Sequence, residues 1–326
     1  MTSTNAHHTL RYAVIVLLAV VTLISCEGDQ IVVSEEKDAP SLTTEYLIEV
    51  DSLSHLLETT EKVQLLDVRK PTAYLKGHIP GAQNISRNQL TDSTYDYPGI
   101  AIERAKLAET LGELGINSED LLVLYDGKGG SDAMRLWFLL YSYGHRKMKV
   151  LNGGWLKWNQ ANLKSTSGNE QPRNQTTFKF AVSQTENTMC NKSDVQQALT
   201  DPNTIIVDTR SDDEYSGKRQ KVGASRHGRI PTSIHWDWGN AVNFESDYTI
   251  KSTKDLAYML DSCHISANKN IIVYCHTGVR SSHTYFVLTE LLGYPHVSNY
   301  DGSWSEWSYW SELPVTADFE VPEINK

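Results

Sequence analysis

An internal repeat of about 150 residues constrains the fold of this chain more than any other feature. An apolar run ending at Asp126 corresponds to one ending at Cys275, and a glycine-containing loop follows each run. Asp126 and Cys275 lie 149 residues apart, and the glycine turns at Gly144 and Gly293 have the same spacing. Repeats of solenoids and propellers are only ~20–50 residues long, so a period of this length indicates a duplicated domain.

The duplication extends upstream. Leu66-Asp-Val-Arg69 matches Val207-Asp-Thr-Arg210, and Gly77-His-Ile-Pro80 matches Gly228-Arg-Ile-Pro231. Each half therefore contains the same series of motifs, and the polar stretch 162–175 between them has the composition of a linker.

Each half alternates short apolar runs with helical patterns. In the second half the predicted strands are Ile205–Val207, Ser233–Trp236, Ile271–Tyr274 and Val297–Tyr300. The predicted helices are Ser193–Leu199 with a serine cap, Lys254–Leu260 and Ser281–Leu292. Strands without polar alternation, joined through helices, indicate a parallel sheet buried on both faces. The sequence thus predicts an α/β fold of two tandem domains, each a parallel sheet with helices on both faces.

The first residues have the pattern of an export signal. Arg11 precedes an apolar run over 12–24, which is short for the ~20 residues of a membrane span and suits a signal-peptide core. Leu23-Ile-Ser-Cys26 resembles the bacterial lipoprotein box, in which the cysteine receives the lipid. The resemblance implies an exported lipoprotein anchored through Cys26 on the periplasmic or cell-surface side. An ordinary cleaved signal and an uncleaved anchor are the alternatives.

These patterns divide the chain into six predicted parts. They are a lipoprotein signal peptide over 1–26, a tether over 27–44, a first domain over 45–161, a linker over 162–186, a second domain over 187–318 and a tail over 319–326.

Composition excludes several classes of protein. Thirty Lys and Arg against 40 Asp and Glu give a net charge of −10, so we expect no nucleic acid as a partner. Four cysteines in 326 residues do not form a disulfide scaffold. Whether Cys190 pairs with Cys263 stays open, with two separate buried thiols as the default; a monomer is the expected state.

Cys275 is the candidate nucleophile. It follows a predicted strand and precedes a loop that curls into a helix, where ligands of open α/β sheets bind. Backbone N–H groups at a helix start stabilise an anion, and a nearby cation such as Arg280 lowers the pKa of a thiol. Gly278 removes a side chain that would hinder the curl. A buried structural cysteine is the alternative.

With these motifs the sequence resembles the tandem-domain rhodanese family of sulfurtransferases. The resemblance covers about Thr44 to Pro314 and rests on Cys275-His-Thr-Gly-Val-Arg280, Asp301-Gly-Ser-Trp304 and the motifs of the first half. It implies that Cys275 takes a sulfane sulfur from a small anionic donor and passes the persulfide sulfur to a thiophilic acceptor, such as cyanide or a thiol. It implies no metal and no organic cofactor.

The resemblance also assigns residues. Asp126 replaces the cysteine in the first domain, which is therefore expected to be inactive and to form one wall of the cleft. Arg210 and the loop residues are expected to bind the donor. Those loop residues are His276, Thr277, Gly278, Val279 and Arg280.

The donor and the side chain of His276 are less defined. His276-Thr277 matches neither the Arg-Lys pair of animal thiosulfate enzymes nor the Gly-Ser pair of mercaptopyruvate enzymes. Similarity around Arg280 favours thiosulfate, with 3-mercaptopyruvate second. His276 either bonds the donor or is exposed. Arg226 and Arg229 are expected in a solvated loop, with the cleft as the alternative.

Two other functions are weighed. Related cysteine phosphatases have five residues between cysteine and arginine, whereas four separate Cys275 from Arg280, so a phosphatase is disfavoured. A lipid-anchored persulfide carrier or binding protein that serves a protein partner is compatible with the same pocket. His283 is expected to face the helix packing, and Trp304, Trp307 and Trp310 are expected to pack the domain.

Overall fold

A computed structural model describes residues 44–59, 62–181 and 188–318. The predicted signal segment with Cys26, nearly all of the tether and the tail lie outside the described residues. Within the described ranges, no helix has both the length and the apolar character needed to cross a membrane.

The strands form two five-stranded sheets. The first contains β1 Leu47–Ile48, β2 Val63–Asp67, β3 Gln83–Asn84, β4 Leu121–Tyr125 and β5 Met148–Leu151 in the order β1-β5-β4-β2-β3. The second contains β6 Met189–Cys190, β7 Thr204–Asp208, β8 Ile234–His235, β9 Asn270–Tyr274 and β10 Val297–Tyr300 in the order β6-β10-β9-β7-β8. All strand pairs are parallel, and strand for strand the two orders are identical. The predicted α/β fold of two similar domains is confirmed.

Helices join the strands. They are α1 Val50–Thr59, α2 Pro71–Tyr74, α3 Arg104–Glu113, α4 Ser131–Ser142, α5 Gly154–Gln160, α6 Lys192–Ala198, α7 Asp212–Tyr215, α8 Thr253–Ser262, α9 Val279–Phe286 and α10 Ser303–Tyr309. Short 3₁₀ helices cover Arg87–Leu90 and Trp238–Ala241, and a π-helical turn over Val287–Leu291 continues α9.

The helix starts follow local side-chain chemistry. The Asn191 side chain caps α6 by accepting from the amides of Ser193 and Asp194, so the predicted serine cap at Ser193 is wrong. Asn191 is preferred because its carbonyl oxygen reaches the free amides of the first turn. The hydroxyl of Ser252 caps α8 by accepting from the amide of Asp255.

The main hydrophobic core runs continuously through both domains. Helix α4 of the first domain packs against α9 of the second, and Trp137 meets Phe286 edge to face with ring centroids 4.7 Å apart. Trp137 and Phe286 are both fully buried. The two helices that start beside Asp126 and Cys275 therefore face each other across the middle of the molecule.

The two halves differ by one residue at these helices. Helix α4 starts five residues after Asp126, whereas α9 starts four residues after Cys275. The π-helical turn after α9 holds one residue more than the same length of α-helix, which restores the spacing by Gly293. The shorter loop thus belongs to the domain that carries the cysteine.

Candidate active site

Cys275 lies directly after β9, the central strand of the second sheet, and just before α9. The side chain is buried at 1% exposure, and Gly278 caps the helix in the left-handed conformation with φ of 74°. A side chain is disfavoured in that conformation, so glycine allows the loop to curl tightly at this point. The predicted strand, loop and helix start are all present.

The surroundings of Cys275 favour a thiolate. Burial raises the pKa of the Cys275 thiol, but the charge of Arg280, the hydroxyl and amide of Ser281 and the amide of Thr277 together bring it below the ordinary value. The Ser281 hydroxyl has no nitrogen or oxygen partner among the described residues, so it is available to the sulfur. These donors stabilise the charged form of the thiol.

Ser303 shapes the same loop from behind. Its hydroxyl accepts from the amides of Cys275 at 3.2 Å and Gly278 at 3.1 Å, and donates to the carbonyl of Tyr300 at 2.8 Å. Ser303 has a φ of 52°, a conformation that costs a non-glycine residue on the order of 1 kcal/mol. The strained serine therefore joins the two ends of the sulfur-binding loop.

Arg280 is held by a carboxylate. Its guanidinium donates to both oxygens of Glu214, at 2.7 and 2.9 Å, and Glu214 is buried at 1% exposure. Burial raises the pKa of Glu214, but Arg280 outweighs this effect and holds that pKa well below its usual range. Arg280 is thus a fixed charge near Cys275, with one donor of each terminal nitrogen bound to Glu214.

Arg210 has partners within its own domain. Its Nε and Nη2 donate to the carboxylate of Asp208, Nη2 also donates to the carbonyl of Gly228 at 2.8 Å, and the side chain is 2% exposed. The first domain repeats this arrangement at Arg69, which binds Asp67 and the carbonyl of Gly77. Because a domain without the cysteine retains the same pair, the geometry argues against the predicted donor-binding role of Arg210 and favours a structural role.

His276 is buried at 4% exposure, so of the two alternatives given for this residue the exposed side chain is wrong. Burial and the charge of Lys221 lower the pKa of His276 to about 4, so the ring is neutral near pH 7. Nε2 lies 3.0 Å from the carbonyl oxygen of Val222, which can only accept. Nδ1 therefore carries a lone pair, and this argues against a hydrogen bond from His276 to an anionic donor.

The other loop residues act through the backbone and through shape. The Thr277 amide favours the thiolate, whereas the Gly278 amide is occupied by Ser303. Val279 is the first residue of α9 and lines the cleft beside the loop.

A cleft of about 560 Å³ lies between the two domains at this loop. The second domain lines it with Lys221, Val222, His276, Thr277 and Val279, and the first domain with Arg87, Asn88, Thr91, Ser93, Pro98 and Gly99. The first domain therefore forms one wall of the cleft, as predicted.

Two cations border the cleft. Arg87 is paired with Asp132. Lys221 is solvent-accessible and has no ion pair within the described part of the chain. Partial desolvation and the charge of Arg280 lower the pKa of Lys221, whereas the Glu214 carboxylate and then the Cys275 thiolate favour its charged form. Lys221 is thus the cation best placed to meet an anion that enters.

Asp126 lies at the position of Cys275 in the first domain, in a loop whose backbone amides surround its side chain; this arrangement is called the cradle below. Its carboxylate accepts from the amides of Gly130 at 3.1 Å and Asp132 at 3.0 Å, and the side chain is 3% exposed. Burial and the charge of Asp132 raise the pKa of Asp126 to about 7, although these amides oppose the rise. The cradle is therefore built in both domains, and only the second one holds a thiol.

Comparison with known proteins places this arrangement in a family. The family model described as "Rhodanese-like domain" matches residues 49–161 and again 191–309. The chain belongs to the rhodanese-like family.

Named relatives of this rhodanese-like protein handle sulfur. It is 33% identical over 279 residues to a Saccharopolyspora erythraea protein named "Putative thiosulfate sulfurtransferase", which covers 83% of this chain and 96% of the relative. It is 34% identical, with the same coverage, to the "Sulfur carrier protein TtuD" of Thermus thermophilus. These names support a sulfurtransferase.

Solved structures show the same fold. The enzyme of anaerobic ergothioneine biosynthesis from Chlorobium limicola, crystallised with trimethyl histidine, has a TM-score of 0.74 and 25% identity, covering 84% of this chain and 70% of that one. The structure of YnjE has a TM-score of 0.75 and 24% identity, covering 85% and 69%, and shows the fold alone.

Several residues of this rhodanese-like site were not predicted from the sequence. Neither Lys221 nor Ser281 was predicted as a site residue. Lys221 lies in a basic stretch of the sequence, and Ser281 directly follows Arg280. Glu214 and Ser303 give no local signal of their role, because their partners lie 66 and 28 residues away.

The burial and hydrogen bonds of the structure test the predictions for one arginine, one histidine and two tryptophans of the second domain. Arg226 donates to four backbone carbonyls, at Trp307, Ser308, Trp310 and Leu313, so the predicted solvated loop is wrong for this residue. His283 is fully buried in the helix packing, as predicted. Trp304 and Trp307 are buried in the core of the second domain, again as predicted.

Proposed function

We propose that this protein transfers a sulfane sulfur from a small anionic donor to a thiophilic acceptor through a persulfide on Cys275. The observation that carries the proposal is the buried Cys275 thiol, whose pKa is lowered by Arg280 and by loop donors. The next two residues of its loop, His276 and Thr277, line the interdomain cleft. A solved structure of similar fold, EanB at 25% identity and a TM-score of 0.74, contains a persulfide on a cysteine.

The reaction balances without a cofactor. The Cys275 thiolate attacks the outer sulfur of thiosulfate, the sulfur–sulfur bond of the donor breaks, and sulfite leaves with the electron pair. Cyanide or a thiolate then attacks the outer sulfur of the persulfide, and the Cys275 thiolate is restored. Arg280, Ser281 and the Thr277 amide stabilise the sulfur anion at both stages.

Thiosulfate is the favoured donor and 3-mercaptopyruvate the second. Lys221 offers a single ammonium at the mouth, which suits a compact sulfonate-type oxyanion. The planar guanidinium groups that would bind a carboxylate with two hydrogen bonds, Arg210 and Arg280, are already bound to Asp208 and Glu214.

The same pairing weighs against a cysteine phosphatase. A phosphatase arginine must direct its free donors at a phosphate above the cysteine, whereas both terminal nitrogens of Arg280 donate to Glu214. The shorter loop agrees with that reading.

Steady-state formation of thiocyanate from cyanide tests the proposal. We expect Cys275-dependent turnover with a larger kcat/KM for thiosulfate than for 3-mercaptopyruvate, and none with Cys275→Ser. If the protein is folded and its Cys275 thiol is titratable, the absence of turnover with both donors would contradict the proposal that it takes sulfur from these small molecules.

A persulfide carrier for a protein partner is the second candidate. The relative named as a sulfur carrier protein, at 34% identity over 284 residues, favours it. Slow turnover with both small donors, together with a persulfide on Cys275 that survives purification, would select the carrier.

We also propose that the protein is exported and anchored by a lipid on Cys26, on the strength of the box Leu23-Ile-Ser-Cys26. Labelling with a radioactive fatty acid should mark the wild-type chain and spare Cys26→Ser. Equal labelling of both chains would contradict the anchor.

A further inference from the structure

One arginine of the first domain reaches the sulfur-binding loop of the second. Arg135 lies on α4 and is buried at 2% exposure. Its guanidinium donates to the carbonyl of Gly278 at 3.4 Å, to the carbonyl of Gly99 at 3.1 Å and to Asp301 Oδ1 at 2.7 Å. Gly278 belongs to the loop and Gly99 to the opposite wall, so one side chain joins both sides of the cleft.

Asp301 completes the connection. Its Oδ1 accepts from Arg135, and its Oδ2 accepts from the amide of Ala101 at 2.7 Å. Two residues further along the chain, Ser303 binds the amides of Cys275 and Gly278. Within the second domain, the carbonyl of Gly278 also accepts from the Ser282 hydroxyl at 2.6 Å and from Asn299 Nδ2 at 3.4 Å. Arg135 is the donor that reaches this carbonyl from the first domain.

The fit at Gly278 is close. A Cβ added to Gly278 would come within 2.8 Å of Arg135 Nη1, nearer than real Cβ contacts allow. Glycine at this position therefore serves the contact with Arg135 as well as the left-handed backbone.

The duplication supplies an internal comparison. Arg135 is the fifth residue of α4, and His283 is the fifth residue of α9. Arg135 meets Gly278, the cap of the cysteine loop, whereas His283 lies beside Gly130, the cap of the Asp126 loop, at 3.9 Å from a Cβ built there. Each helix therefore supports the loop of the other domain, but only the cysteine loop receives a permanently charged residue with several donors.

We propose that Arg135 is a positioning residue for the sulfur-binding loop, through which the first domain aligns the Thr277 and Ser281 donors on Cys275. The inference rests on Cys275 being the reactive group of the proposed function. Arg135 is not among the groups that act on the sulfur; it acts by linking the carbonyl of Gly278 to the carbonyl of Gly99, and so sets the distance from the loop to the opposite wall.

The test is the rate of alkylation of Cys275 by iodoacetamide as a function of pH, with Cys275→Ser subtracted as the background of the other thiols. In the full chain, Arg135→Gln is expected to alkylate about tenfold more slowly at pH 7, with the rise in rate displaced to higher pH, because the loop donors lose alignment. With thiosulfate, kcat should fall more than KM rises. Arg135→Lys, which retains the charge, is expected to recover part of the rate.

Asn152→Ala is the matched control. Asn152 accepts from the amide of Ile250 at 3.0 Å across the domains and is buried at 5% exposure. Its side-chain amide donates to Glu49, and neither of these bonds involves the cysteine loop. It should lose thermal stability as Arg135→Gln does while retaining the alkylation profile. Asp301→Asn weakens the same connection with little change of shape and serves if Arg135→Gln does not fold.

Unchanged alkylation rates and pH profiles in Arg135→Gln, or in Asp301→Asn if that variant is used, would overturn the proposal and leave Arg135 a structural residue. Alkylation needs no sulfur donor, so this outcome is separate from a failure of sulfur transfer.

Discussion

The charges around Cys275 have separate tasks. Arg280 lowers the pKa of the thiol while bound to Glu214, and Lys221 stands at the mouth of the cleft with no ion pair among the described residues. A fixed cation stabilises the thiolate, and in the proposed function an available cation attracts the donor. If the donor is anionic, as proposed, this division explains how an acidic chain can bind it.

Lys221→Gln should therefore weaken donor binding without disabling the thiol. We expect KM for thiosulfate to rise about tenfold, with a smaller change in kcat, because a charge pair in a partly desolvated cleft contributes on the order of 1 kcal/mol. Lys218→Gln is the control, since Lys218 lies on the same segment but pairs with Asp213. Equal KM values for the two variants would contradict the role of Lys221.

Arg210→Gln should damage the fold and leave donor recognition intact. Removing Arg210 leaves Asp208 buried without its cation, which costs about 3 kcal/mol of unfolding free energy. Arg69→Gln in the first domain should cost a similar amount. Urea denaturation measures both, and a KM for thiosulfate that rises tenfold only in Arg210→Gln would restore the donor-binding role predicted from the sequence.

These residues show what sequence reasoning could reach. Cys275, Arg280 and the loop were predictable because they are contiguous and their spacing implies a helix start. Arginine side chains often bind anions, so Arg210 was a reasonable candidate. Only the structure shows that its guanidinium donates to Asp208 and to the carbonyl of Gly228. Glu214 and Arg135 were beyond reach, because nothing in the chain near them indicates their partners.

At the scale of elements, the site consists of β9, the loop after it and the start of α9. The segment of the first domain around Pro98 and Gly99 lies opposite this loop. Gly99 on that segment has a φ of 107°, and a Cβ added there would lie 2.6 Å from the Cβ of Thr277. The strands, their parallel arrangement and the helix start followed from apolar runs and glycine positions. The one-residue shortening of the loop and the compensating π-helical turn did not, because overall spacing is unchanged.

Gly99→Ala should therefore displace the loop. We expect a loss of about 1 kcal/mol or more of stability from the positive φ, together with at least a tenfold loss of kcat/KM, because Thr277 must move. Gly81→Ala is the control, since Gly81 has a φ of 81° and its added Cβ would meet nothing within 4 Å. It should lose stability and retain activity; equal activity of the two variants would exclude this contact as a determinant of the loop.

The cradle around Asp126 predicts a pH-dependent stability. The folded pKa of Asp126 is about 7, above the ~3.9 of an unfolded aspartate, so the protonated carboxyl stabilises the fold at low pH. This contribution is complete below pH ~4 and is lost as pH rises to about 7, with a total of up to about 4 kcal/mol.

Urea denaturation of wild type and Asp126→Asn between pH 4 and 8 measures this effect. The difference in unfolding free energy should change in favour of the variant as pH rises and become constant above about pH 7. A difference that is the same at every pH would show that Asp126 does not titrate in this window.

At the scale of the molecule, the duplication produces one cleft from two similar domains. The pairing of α4 with α9 places the N-terminus of each helix beside the other domain. The domain without the thiol therefore contributes one wall of the cleft, with Arg87 in that wall, and Arg135, which contacts the cysteine loop. The fold and the repeat were predictable from the sequence, whereas the crossing of these two helices depends on packing between residues some 150 positions apart.

Intact-mass measurement of the persulfide tests the central claim most directly. Incubation of the reduced protein with thiosulfate should add one sulfur atom at Cys275 in the wild type and none in Cys275→Ser, and cyanide should then remove that sulfur as thiocyanate. Absence of the added sulfur from Cys275, or an equal gain in Cys275→Ser, would contradict the account.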